Sequence, residues 1–149
     1  MALQRNSMDG TFDYLARLKD AGDVTGSAAA QVGGSDKIFD AGAGRFDARV
    51  IINISACEVA TGNEKYQIMV QGSTSATFAN GVWNLGALVL GDSSVSLETV
   101  DTAAARHQEI AFCNEVNGNL YRYLRIYTFV AGTIETTGIN FTAHLVRKV

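Results

Sequence analysis

The two histidines, His107 and His144, are the side chains best suited to hold a metal or to act as a general base near neutral pH. Neither belongs to an HxH or HxxxH pair or has a cysteine at ligand spacing, so both read as strand histidines facing solvent or a hydrogen-bond partner. Cys57 and Cys113 are too few for a disulfide framework and form no CxxC pair; small apolar strand positions are expected for both. Among the carboxylates, Glu58, Glu64, Glu98, Glu109 and Glu115 are scattered. Two of them meeting across strands would make a glycosidase pair, but spacing alone does not point there, and solvated surface positions are the expectation. Gly42-Ala43-Gly44 lacks a third glycine and leads into strand residues, so it reads as a turn and not a phosphate cradle. No GxSxG elbow or Walker lysine is present. Asn53-Ile54-Ser55 and Asn140-Phe141-Thr142 match the glycosylation acceptor pattern but fall inside strand patterns. No enzymatic activity, catalytic residue, metal or cofactor is expected.

Binding is better represented than catalysis. Tyr121, Tyr123, Arg125 and Tyr127 alternate along one segment, where aromatic faces and a cation could stack sugar rings or bases, but packing inside the sandwich or against a sister subunit is the stronger expectation. The stretch from Tyr66 to Gly91 carries no charge and holds Phe78, Asn80 and Trp83; an exposed Trp83 would be the best single interface anchor in the chain. Its Gln, Asn and hydroxyl residues interrupt it too often for a membrane span.

The elements that must position these residues are strands. Leu120 to Val130 alternates, with Leu120, Arg122, Leu124, Ile126, Thr128 and Val130 on one face and Tyr121, Tyr123, Arg125, Tyr127 and Phe129 on the other. Ile139 to Val146 repeats the pattern, and the intervening Val130 to Thr133 predicts a long C-terminal hairpin. Asp47 to Ala56 and Tyr66 to Gly72 are predicted to pair with each other. Leu85 to Leu90, Ser94 to Thr99 and His107 to Cys113 are shorter candidates, and Asn117-Gly118-Asn119 signals a hairpin turn. Phe12 to Lys19 also alternates, whereas Ala21 to Asp36 reads as an irregular connection. Eight or nine short strands without a long amphipathic helix predict an all-β, antiparallel, jelly-roll-like β-sandwich spanning residues 11–149. Residues 1–10 form a polar N-terminal arm whose Gln4, Arg5 and Asn6 are candidate partner contacts.

Composition agrees with a single domain: 149 residues, 47% of them apolar, with 15 Gly and no Pro. Twelve Lys and Arg against fifteen Asp and Glu give −3, with no basic stripe, so nucleic acid is not an expected partner. Met1 to Thr11 lacks the pattern of a secretion signal, and synthesis in the cytoplasm is expected.

Three segments, KIFDAGAGRFDARVIINISA (Lys37 to Ala56), YQIMVQGSTSATFAN (Tyr66 to Asn80) and YRYLRIYTFVAGTIETTGINFTAHL (Tyr121 to Leu145), together resemble the tailed-phage capsid cement, or head decoration, proteins. The resemblance implies a jelly-roll sandwich that forms a homotrimer, seats on the outside of the virion capsid and bridges neighbouring major capsid subunits. The polar arm, the Phe78 to Leu90 region and the connecting loops would then face the capsid. A carbohydrate-binding or fibre-type β-sandwich of a virion, using Tyr121, Tyr123 and Tyr127, is the alternative.

Overall fold

The computed structural model describes residues 16–92 and 103–147. Along them run β1 (Arg17–Lys19), β2 (Asp23–Val24), β3 (Ala28–Ala29), β4 (Gln31–Val32), β5 (Ser35–Asp36), β6 (Phe39–Asp40), β7 (Asp47–Cys57), β8 (Lys65–Ser73), β9 (Val82–Gly91), β10 (Arg106–Cys113), β11 (Glu115–Val116), β12 (Asn119–Leu120), β13 (Tyr123–Ala131) and β14 (Ile139–Arg147). Among the described residues there is no α-helix, and no helix is long and apolar enough to cross a membrane.

Two antiparallel sheets face each other as a β-sandwich. Sheet A has the order β1-β14-β7-β10, with β2 also on β14; sheet B has the order β3-β13-β8-β9, with β6 also on β13. The alternation in β7 explains its place: Val50, Ile52 and Ile54 point into the core while Asn53 and Ser55 face solvent. Phe141, Ala143 and Leu145 of β14 meet them from the same sheet, and Tyr66, Ile68 and Val70 of β8 and Leu124 and Ile126 of β13 close the core from the other. Each such aliphatic side chain contributes roughly 1.5–3 kcal/mol by leaving water. Along one side the sheets approach where β9 passes β10. Gly86 permits this, because a Cβ there would lie 2.6 Å from Ile110 Cγ2.

Several expectations are corrected. β13 and β14 are not a hairpin, and β7 and β8 do not pair; each pair crosses from one sheet to the other as an arch. β7 pairs with β14 and β8 with β13, so the two arches stack. The connections 58–64 and 132–138 are long enough to span the roughly 10 Å between sheets, which a tight turn is not. Residues 21–36 are not irregular: β2 extends sheet A, β3 extends sheet B, and β4 and β5 form a ribbon. The Asn117-Gly118 signal is borne out, since both residues have positive φ (51° and 78°) between β11 and β12, as a type I′ turn requires. Gly42 to Gly44 is a loop, with Gly42 N–H donating to Asp40 Oδ1. The predicted strand Ser94 to Thr99, residues Phe12 to Leu15 and the arm with Gln4, Arg5 and Asn6 lie outside the described residues.

Candidate functional site

The buried polar groups hold loops. Glu58 follows β7, and its carboxylate accepts the consecutive backbone N–H groups of Glu135, Thr136, Thr137 and Gly138 and the Thr136 hydroxyl. These donors, led by Gly138 N–H, hold its pKa down at about 2. Glu64 does the same within its own connection. Burial alone would raise its pKa, but the N–H groups of Thr61 and Gly62, at 2.7 and 2.8 Å, keep it below the usual carboxylate range. Tyr66 donates its hydroxyl proton to the Glu58 carbonyl at 2.8 Å, tying this end of the sandwich to the core. At the opposite end, Asn114 accepts from Phe46 N–H at 2.7 Å and donates to the carbonyls of Gly44 and Tyr121. Lys19, also buried, donates to the carbonyls of Asp20, Gly22 and Phe141. Nucleophile and acid–base roles need accessible groups, and these face the protein's own backbone.

Both histidines project from the outer face of sheet A. Register places His107 opposite Asn53, and His144 and Glu109 on either side of Ile51. His107 Nδ1 lies 2.8 Å from Asn53 Oδ1, Glu109 pairs with Arg49 at 3.3 Å, and Arg17 Nε donates to His144 Nε2 at 3.4 Å. Burial, helped by Arg17, lowers the His144 pKa below the usual histidine range. Polar and charged side chains of this face pair with one another around Ile51. Among the described residues no group of three His, Cys, Asp or Glu is placed to hold a metal ion, and Cys57 and Cys113 form no disulfide.

The outer face of sheet B is different. Tyr123, Arg125, Tyr127 and Phe129 of β13 stand beside Ser73, Gln71, Met69 and Gln67 of β8, and Val82, Asn84 and Ala87 of β9 continue the same face. The loop after β8 folds back over one part of it. Phe78, at φ 55°, tucks its ring against the sheet, and the Arg125 guanidinium sits 4.3 Å from that ring and 5.3 Å from Tyr127. Arg125 Nε donates to Gln71 Oε1 at 3.0 Å. Burial lowers the Arg125 pKa from its ordinary value without removing its charge. Among the described residues the exposed large apolar side chains are Val82, Trp83 and Phe129, at 39%, 49% and 39%.

The predicted site residues are therefore divided. Tyr123, Arg125 and Tyr127 share the outer face as expected, but Tyr121 does not join them. Gly72 opposes the inward Leu124, and a Cβ on Gly72 would meet Tyr121 Cβ at 2.7 Å, so Tyr121 lies toward the inner side. There its ring stacks on exposed Trp83, with centroids 6.5 Å apart. Phe78, expected as a contact residue, is buried beneath Arg125 and acts by holding that cation. Asn80 is exposed, and its carbonyl accepts from Ser73 Oγ at 2.8 Å. Sequence reasoning missed Gln71 and Asn84, which join in a 3.1 Å hydrogen bond across β8 and β9; the signal for them was amides alternating with apolar residues in a charge-free strand. No protein-family model matches this chain, and no curated protein matches it.

Proposed function

We propose that this chain is a structural phage-head protein, a capsid cement that binds the outer surface of the major capsid shell as a homotrimer and stabilises it. The observation that carries the reading is the outer face of sheet B, an aromatic and amide-rich surface that carries exposed Val82 and Phe129. Aromatic residues and Arg are what protein interfaces favour. Strand order adds support. Taking β1, β3, β7, β8, β9, β10, β13 and β14 as first to eighth, the sheets read 1-8-3-6 and 2-7-4-5. That is the order made by rolling one long hairpin of four strand pairs, which we read as a jelly roll. Three copies in a trimer would multiply each weak contact and raise effective affinity without new chemistry.

The test is the mass of the purified protein by light scattering, then sedimentation with phage heads that lack it. A mass of three protomers with co-sedimentation is expected; a monomer that stays in the supernatant overturns the reading. Tyr123 and Tyr127, half-buried side by side on one face, support a second reading, a carbohydrate-binding or fibre-type virion domain. Retention on a polysaccharide column that is lost in Tyr127→Ala, without binding to heads, would favour it.

A further inference from the structure

The side chains crossing the outer face of sheet B form a hydrogen-bond line with a fixed direction. A guanidinium has only donors, so Arg125 holds Gln71 with Oε1 turned toward it. Gln71 Nε2 therefore points the other way and donates to Asn84 Oδ1, which leaves the Asn84 Nδ2 protons directed outward. The line bridges β13, β8 and β9, and its two ends, the Arg125 Nη groups and Asn84 Nδ2, are both donors. Strands lie about 4.8 Å apart, which puts these ends roughly 10 Å from each other. The charges agree with the donors. The outward residues of β13, β8 and β9 include Arg125 and Lys65 but no carboxylate; Asp36 of β5 lies near enough to act on Arg125 through its charge but makes no ion pair with it, and Asp40 beyond Tyr123 has both oxygens occupied by Arg122 at 2.7 Å.

We infer that this face captures an acidic side chain, Asp or Glu, carried on an extended segment of a protein partner. The carboxylate takes the Nη edge of Arg125, and a carbonyl of the same segment takes Asn84 Nδ2. A planar pair of oxygens matches the guanidinium fork, whereas a phosphate backbone needs a run of cations that this face lacks. Phe78 and Tyr127 hold the guanidinium in place before binding, so little side-chain freedom is lost on capture. Exposed Val82 beside Asn84 offers the partner segment an apolar contact. This deepens the docking reading of the same face and rests on it.

The experiment follows the side-chain N–H resonances of Arg125 and Asn84 in the ¹⁵N-labelled protein. It is titrated with a pentaglutamate peptide, a pentaglutamine peptide and inorganic phosphate at equal ionic strength. A saturable shift of both resonances with pentaglutamate is expected, at least fivefold larger than with either other probe. No saturable shift, or an equal one with phosphate, overturns the inference. Arg125→Gln, checked for folding by its amide spectrum, should lose the response, and Arg125→Lys should keep no more than about a tenth of the affinity; a response unchanged in both also overturns it. Sedimentation with heads separates the two readings. Wild-type protein and Arg125→Gln co-sedimenting equally would overturn the carboxylate anchor and leave the cement reading standing. A protein that responds to pentaglutamate but ignores heads would overturn the cement reading and uphold the anchor.

Discussion

Glu58 and Arg125 are both charged, and both are held by several neighbours, yet they are held in opposite senses. The Glu58 carboxylate is enclosed by donors from the 135–138 turn, and its acceptor capacity is used within the protein. Arg125 is gripped by two rings and, through Nε, by one amide, which leaves its Nη groups as donors to spare. A charge satisfied internally strengthens a fold; a charge held in place with donors to spare prepares a surface. Stability belongs to the arch end of the sandwich and, under the proposed docking, recognition to the outer face of sheet B.

Substitutions at the arch end should separate these roles with the largest effects. Gly138 has φ 60°, and a Cβ there would collide with the Val24 carbonyl. Gly138→Ala should therefore cost about 3 kcal/mol in urea unfolding, with head binding of the folded fraction unchanged. Glu58→Ala should lower Tm by roughly 10 °C, again without changing binding; weaker binding by the folded protein would break the comparison. The pH dependence follows from the sign of the shift. The folded pKa of Glu58 is depressed to about 2, so its stabilisation is fully present above the ordinary value near 4.5 and is lost as pH falls toward 2. Thermal melts between pH 5 and pH 2 should show a steeper loss for wild type than for Glu58→Ala.

The outer face should show the reverse pattern. Arg125→Gln is expected to weaken head binding at least tenfold, while Tm moves by no more than about 3 °C. A large Tm loss with binding intact would make Arg125 a structural residue. Asn84→Ala is the smallest effect: roughly threefold weaker binding, as for one neutral hydrogen bond, and no measurable change in Tm.

Much of the fold was legible because alternation records which way a side chain faces. Leu124, Ile126 and Thr128 are buried and Tyr123, Arg125 and Tyr127 are not, as the period of two in β13 requires. Alternation does not record which strand lies alongside, so strands joined by an arch look in sequence like neighbours in one sheet. The four strands between Asp23 and Asp36 are two residues each, too short to show a period. Tyr121 keeps the sequence phase of Tyr123, but β13 starts only at Tyr123, and its ring follows Trp83 instead. The cages around Glu58 and Glu64 left no trace in a sequence where carboxylates are scattered, because their donors are backbone N–H groups, which every non-proline residue carries. Arg125 was legible as a candidate, but its clamp joins residues 47 positions apart in the chain, Phe78 and Arg125, and only the folded-back loop brings them together.

The most direct test of the docking assignment is hydroxyl-radical footprinting of the protein alone and on phage heads. Tyr123, Tyr127 and Phe129 should lose reactivity on binding, while His107 and His144 on the outer face of sheet A should keep theirs. Protection of the histidines with Tyr127 and Phe129 unchanged would contradict the assignment of the outer face of sheet B as the docking surface.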